Sequence, residues 1–393
     1  MNKRFLLAII TMALLGCQNT SQQIETNITS QKIASEQKAT SATEKKLAPK
    51  VQNVLDMRRT VNVFKAWDSP GTYGDVYEKK YGLYWTVSPK APKRTLVLDQ
   101  INWAFNYPRY KYDNYPGIKK FISTSPWGHD KEYGETYAID LTHPDYAQYM
   151  ANIAYQAVLR NNSHGIMLDW WHDSHPTNLS KSQIRKARQA LVKEYRRLDD
   201  HQTIILGNVN DRRDKSFAQI TNGVFLEHWK HPTKPYTTTQ LFEMEKTLEF
   251  FDENLLEPKI IAFNVWKLSK TSEDSRKNRQ SAYNRQYAKL FTAMSVVIPK
   301  NGYILYGDNN QDDPKSDHDH DFYDFYNFDI GSPTSEYIKI KRGVGLKYHD
   351  RGLITYNLTS SDQTLDIPGG KTITVPKKSG LFCKTLGDEI ACI

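Results

Sequence analysis

Two segments of the chain share one form, a glycine, three apolar residues and a carboxylate: Gly165-Ile-Met-Leu-Asp169 and Gly223-Val-Phe-Leu-Glu227. An apolar run that ends in an acid reads as a buried strand delivering that acid to the rim of a sheet or barrel. Two carboxylates set across one cleft are what hydrolysis of a glycosidic bond requires. One protonates the leaving oxygen while the other attacks the anomeric carbon or activates water.

The ends of the neighbouring apolar runs carry the polar and aromatic partners such chemistry needs. They are Trp67 and Asp68, Trp103 and Asn106, Trp170, Trp171 and His172, Asn208 and Asn210, His228 and Trp229, Asn264 and Trp266, and Asp308. Six of the eight tryptophans stand at these ends, with Trp85 and Trp127 elsewhere. A sugar ring has CH faces and a hydroxyl rim, which indoles and amides match together. A catalytic metal is not expected. His172/His175 and His228/His231 are spaced i, i+3, but the first apolar run lacks the His-x-His of a barrel metallohydrolase. The acidic stretch from Asp308 to Asp321 misses the EF-hand pattern and reads as a solvated loop over the mouth of the fold. No cofactor is implied, and no glycine-rich phosphate loop follows the last strands.

Elements of alternating type must hold these residues. Strands are expected at 61–67, 96–103, 165–170, 203–208, 223–229, 259–265 and 302–307, with one more at either 119–123 or 137–141. Helices are expected from Pro144 to about 160, from the capping box Ser180-Lys-Ser-Gln183 to about 198, and over 239–253 and 276–297. Eight strands alternating with helices predict an α/β fold, a (β/α)8 TIM barrel over residues 55–330. From 331 to 393 short runs between Gly, Pro and Asp turns predict a small all-β, sandwich-like domain.

The 393 residues carry 53 basic and 44 acidic side chains, for a net charge of +9. So thin a surplus gives no reason to expect a nucleic-acid partner. With 24 Tyr the chain is too aromatic to be disordered, and no run of 18 apolar residues is present, which excludes a polytopic membrane protein. Residues 1–16 read as a signal peptide, a basic start followed by an apolar run too short to span a bilayer. Residues 17–54 are rich in polar residues and read as a flexible linker. Cys383 and Cys392 flank a Gly-Asp turn and are expected to pair as a disulfide.

Leu14-Leu15-Gly16-Cys17 resembles a bacterial lipobox. The resemblance implies cleavage before Cys17, a lipid on its sulfur, and a place at the bacterial cell envelope, anchored in the outer membrane. The segments Asp140-Leu-Thr-His-Pro-Asp145, Gly165 to Trp171, Asn208-Val-Asn210, Gly223 to Glu227 and 302–307, in that order, resemble glycoside-hydrolase-like family 15. They are more distantly similar to endo-α-1,4-polygalactosaminidase barrels. That resemblance implies a polysaccharide substrate, with Asp169 on the fourth strand as nucleophile or base and Glu227 on the sixth as proton donor. Membrane contact is expected through the lipid alone, and the chain is expected to act as a monomer. The alternative is an inactive barrel that binds polysaccharide at the cell surface.

Overall fold

The computed structural model describes residues 46–66, 81–85, 93–106, 115–130, 134–173, 179–228, 230–231, 233–269, 278–308, 318, 320–387 and 389–393. Of these, 105–106, 123–130 and 134–136 are described as backbone only. From Leu47 onward the chain forms one compact unit.

Its centre is a closed parallel barrel of eight strands: β1 (Val63–Lys65), β2 (Tyr81–Trp85), β3 (Leu96–Ile101), β7 (Gly165–Leu168), β8 (Ile204–Asn208), β9 (Gly223–Glu227), β10 (Ile260–Trp266) and β11 (Asn301–Gly307), with β11 pairing back onto β1. Between β3 and β7 the chain makes an antiparallel three-stranded sheet from β4 (Phe105–Asn106), β5 (Ile122–Asp130) and β6 (Gly134–Ile139). The eighth barrel strand is therefore Tyr81–Trp85. Both segments expected to supply it, 119–123 and 137–141, belong to this side excursion. All five residues of β2 are buried, as a strand covered on both faces must be.

Around the barrel run α1 (Pro49–Asp56), α2 (Tyr146–Asn161), α3 (Lys181–Asp199), α4 (Lys215–Ala218), α5 (Thr238–Asn254) and α6 (Ala282–Val297). The capping box at Ser180 and Gln183 opens α3, and a second one, Thr237 with Gln240, opens α5. Pro144 precedes the first turn of α2, which begins at Tyr146. Helix α1 closes the bottom of the barrel. Val51, Val54 and Leu55 join the interior cluster of Phe64, Leu83, Trp85, Leu98, Met167, Leu206, Phe225, Ala262 and Leu305. At that same end Ala48 N donates to Gln202 O, and Lys50 Nζ to Ser163 O.

The C-terminal strands are antiparallel. β12 (Ile338–Lys341), β13 (Val344–His349), β14 (Gly352–Asn357), β17 (Ser379–Leu386) and β18 (Glu389–Cys392) form one sheet, and β15 (Gln363–Ile367) with β16 (Lys371–Val375) form a ribbon. A (β/α)8 barrel followed by a small all-β region is thus the architecture. The sheet is seated on α6. A side chain at Gly380 would fall 2.5 Å from Ala293 Cβ, and Lys347 Nζ donates to Val296 O and Pro299 O at and beyond the end of that helix. Cys383 and Cys392 face each other across β17 and β18 and are joined in a disulfide.

Candidate active site at the barrel mouth

Strand alternation decides what enters the barrel. Interior side chains on four neighbouring strands are Met167, Leu206, Phe225 and Ala262. Two residues further along each strand direction stand Asp169, Asn208, Glu227 and Asn264, which therefore share the mouth of the barrel. Trp266 keeps the same parity above Asn264.

A single amide joins the two acids. Asn208 Nδ2 lies 3.0 Å from Asp169 Oδ1 and 3.3 Å from Glu227 Oε2, so these two oxygens are no more than 6.3 Å apart. A planar amide directs its two N–H bonds about 120° apart, which gives a separation of roughly 5.5 Å. The amide is itself oriented: Asn210 N donates to Asn208 Oδ1 at 3.1 Å, leaving Nδ2 for the acids. Asn210 is in the left-handed region at φ 54°, which Asn tolerates, and its carbonyl accepts from Glu227 N. Asp169 Oδ1 also accepts from Trp170 N at 2.9 Å. Asp169 is nearly buried, whereas the Glu227 side chain keeps 25% of its exposure.

The other oxygen of Glu227 meets a residue for which no role was expected. His318 Nε2 stands 3.4 Å from Glu227 Oε1. Backbone hydrogen bonds to the end of β11 hold it there. His318 N donates to Asp308 O, and an isolated antiparallel bridge joins His320 to Gly307. His320 Nε2 lies 2.8 Å from Tyr81 Oη of β2. The imidazole of His318 packs edge-on against Trp266, with ring centroids 4.8 Å apart. In sequence the only signal was the run Asp317-His-Asp-His-Asp321, which reads equally well as a solvated loop. His320 itself is pushed down to about 4 by burial.

Several expected rim residues lie elsewhere, for reasons of parity and packing. Trp103 and Trp171 are fully buried and pack against each other with centroids 4.9 Å apart, in the layer between strands and helices. The indole of Trp171 occupies the space a side chain at Gly207 would need and lies against the Arg188 guanidinium. These two are core residues and offer no sugar platform. Asp308 is one residue past the inward position of Gly307, so it points outward. There it is fully buried between Arg279 (2.7 Å) and Lys267 (3.2 Å) as the centre of an ion-pair triad. Burial raises its carboxyl, and the two cations oppose that shift.

His228 has the same outward parity, packs edge-on against Phe263 of the outer layer, and is held by burial down to about 4. Trp266 is inward but nearly buried, its backbone clasped by Tyr236 Oη. Trp170 is half-buried at φ 56°, with its ring 5.4 Å from that of the buried His172. The Asn106 side chain, and the whole of Trp67, Asp68, Trp229 and Cys17, lie outside the described residues. Among the described residues no three His, Cys, Asp or Glu side chains are grouped to hold a metal ion.

No family model matches the chain, and no curated protein matches it. Among solved structures it is similar to the glycoside hydrolase domain of PelA from Pseudomonas aeruginosa, at 11% identity and a TM-score of 0.43 over 67% of this chain and 100% of that one. It is also similar to an α-amylase from Geobacillus thermoleovorans complexed with acarbose, at 11% identity and a TM-score of 0.46 over 82% and 97% of the two chains. A third is Aspergillus fumigatus Ega3 in complex with galactosamine, at 13% identity and a TM-score of 0.37 over 56% and 86%. Likenesses this distant concern fold alone.

Proposed function

We propose that this protein is a glycoside hydrolase that cleaves a polysaccharide with retention of configuration, Asp169 acting as nucleophile and Glu227 as acid and base. The observation that carries the reading is the Asn208 amide, which hydrogen-bonds a carboxylate oxygen of each residue at one barrel mouth. A separation near 5.5 Å fits direct attack, since an inverting pair stands about 6.5–9.5 Å apart to admit a water. In the first step the Glu227 carboxyl gives its proton to the glycosidic oxygen as the C1–O bond breaks, and an Asp169 oxygen bonds to C1. In the second, Glu227 takes a proton from water, whose oxygen bonds to C1 and releases Asp169.

Of the described aromatic residues, half-buried Trp170 beside Asp169 is the one best situated to receive a sugar face. The lipobox supports a lipid-bearing Cys17 and chemistry carried out at the cell envelope. Cys17→Ser should accordingly move the protein from the detergent phase to the aqueous phase.

The test is a screen of the mature protein against bacterial exopolysaccharides for released reducing ends. Asp169→Asn and Glu227→Gln are each expected to lose several orders of magnitude in turnover while polysaccharide binding survives. Tight binding by the wild type with no reducing ends released, unchanged in both amide variants, would support the inactive binder instead.

A further inference from the structure

The mechanism above leaves one contact at the acid/base unused. Glu227 has a partner on each oxygen: Asn208 Nδ2 on Oε2, and His318 Nε2 at 3.4 Å from Oε1. The backbone of His318 is tied to the end of β11. Its backbone N–H is bonded to Asp308 O, and Asp308 is locked between Lys267 and Arg279. Two residues on, His320 bridges Gly307 and meets Tyr81 Oη. The ring lies edge-on to Trp266, with Phe225 below it at a centroid distance of 6.4 Å. His318 also holds a left-handed backbone, φ 64°, uncommon for a residue with a side chain.

Resting on the hydrolase reading, we propose that His318 is a positioning residue for the proton donor. It holds Glu227 in the rotamer that faces Asp169 and supplies an N–H to Oε1 as Glu227 becomes a carboxylate. A contact of 3.4 Å is long for such a bond, and catalytic hydrogen bonds commonly tighten only once substrate is bound. With His318 and Asn208 donating one to each oxygen, the charge left by proton transfer is met on both sides without reorganisation. The role belongs to the step in which the leaving oxygen is protonated, and that restricts where its loss should be felt.

The experiment compares wild type, His318→Phe and His318→Gln on two substrates. One is the polysaccharide the wild type cleaves; the other is the 2,4-dinitrophenyl glycoside of the same sugar, whose leaving group departs without a proton. Phenylalanine keeps a ring against Trp266 and removes the nitrogen, while glutamine keeps an N–H donor. His318→Phe is expected to lose roughly 10- to 100-fold in kcat on the polysaccharide. Its KM there, and its kcat/KM on the aryl glycoside, which reports the first step alone, should stay within about threefold of wild type. His318→Gln should lose less than about tenfold on the polysaccharide.

Equal losses of His318→Phe on both substrates, or none on the polysaccharide, would overturn the proposal and leave the hydrolase reading intact. If His318→Phe does not fold, His318→Met carries the same expectation. A wild type that cleaves neither substrate, or a Glu227→Gln variant as active as wild type, removes the hydrolase reading and the role of His318 with it.

Discussion

Asn208→Ala should separate a site organised around one amide from two acids that merely lie near each other. The substitution removes the donor that stands 3.0 Å from Asp169 and 3.3 Å from Glu227 and leaves the strand intact. A hydrogen bond to a charged acceptor contributes about 1.5–3 kcal/mol and one between neutral groups about 0.5–1.5 kcal/mol. In the proposed first step Asp169 is charged at the outset and Glu227 becomes so as its proton leaves. The bond to Glu227 strengthens as its charge develops, and the bond to Asp169 fixes the aim of the nucleophile. Losing both should therefore raise the barrier by about 2–4 kcal/mol, or roughly 30- to 1000-fold in kcat/KM. The fold should feel less, a loss of about 1–2 kcal/mol seen as a fall of a few degrees in Tm. The assay is reducing-end release at sub-saturating polysaccharide, run as a cycle with Asp169→Asn. In that background the amide no longer faces a carboxylate at position 169, so Asn208→Ala should cost much less there than in wild type. Turnover of Asn208→Ala within threefold of wild type, or an equal cost in both backgrounds, would refute this organisation of the site.

Three other expectations concern what surrounds the site. Gly207→Ala puts a methyl 2.3 Å from Trp171 Cδ1, with Arg188 and Trp103 also against that indole, and should destabilise by about 1–3 kcal/mol in a denaturant titration. Because Trp171 N donates to Asn208 O at 2.6 Å, the displacement should also lower kcat. Asp308→Asn removes the buried carboxylate that Lys267 and Arg279 both contact, and breaking those pairs should cost about 3–5 kcal/mol of stability by the same titration. Lys347 is lowered by burial to about 8 from 10.5, so between those values the unfolded chain holds a proton the folded chain has released. Its contribution to stability therefore rises with pH across that window, and Lys347→Met should flatten the slope between about pH 8 and 9.5.

How much of this was legible beforehand depends on where local rules suffice. The capping box at Ser180 marked one helix start because its two reciprocal hydrogen bonds are local. The runs ending at Asp169 and Glu227 stood out because an acid tolerated directly after three buried apolar residues belongs at the open end of a strand, where water or a partner can meet its charge. Strand β2 escaped because Tyr-Gly-Leu-Tyr-Trp is five residues with no β-branched side chain, and a short apolar run carries no periodicity to separate strand from loop. Its flanks carry Pro70, Gly71, Gly74, Pro89 and Pro92, residue types that favour loops.

The misplaced rim residues have a deeper cause. A strand of this barrel is apolar on both faces, because one side meets the interior and the other meets helices. In Asn301–Gly307 nothing in the residue types distinguishes the inward Tyr303 and Leu305 from the outward Ile304 and Tyr306. The parity at the strand end is therefore invisible from the sequence, and parity alone decides function there. It turns Glu227 inward and His228 outward, and it turns Asp308 away from the mouth into its ion-pair triad. For the tryptophans the deciding residue is a glycine on another strand: Trp171 lies in the outer layer because Gly207 leaves room for it. One consequence runs the other way. Asp308, misread as a ligand for substrate, fixes the carbonyl that holds His318, so a residue with no place at the mouth still determines what Glu227 faces.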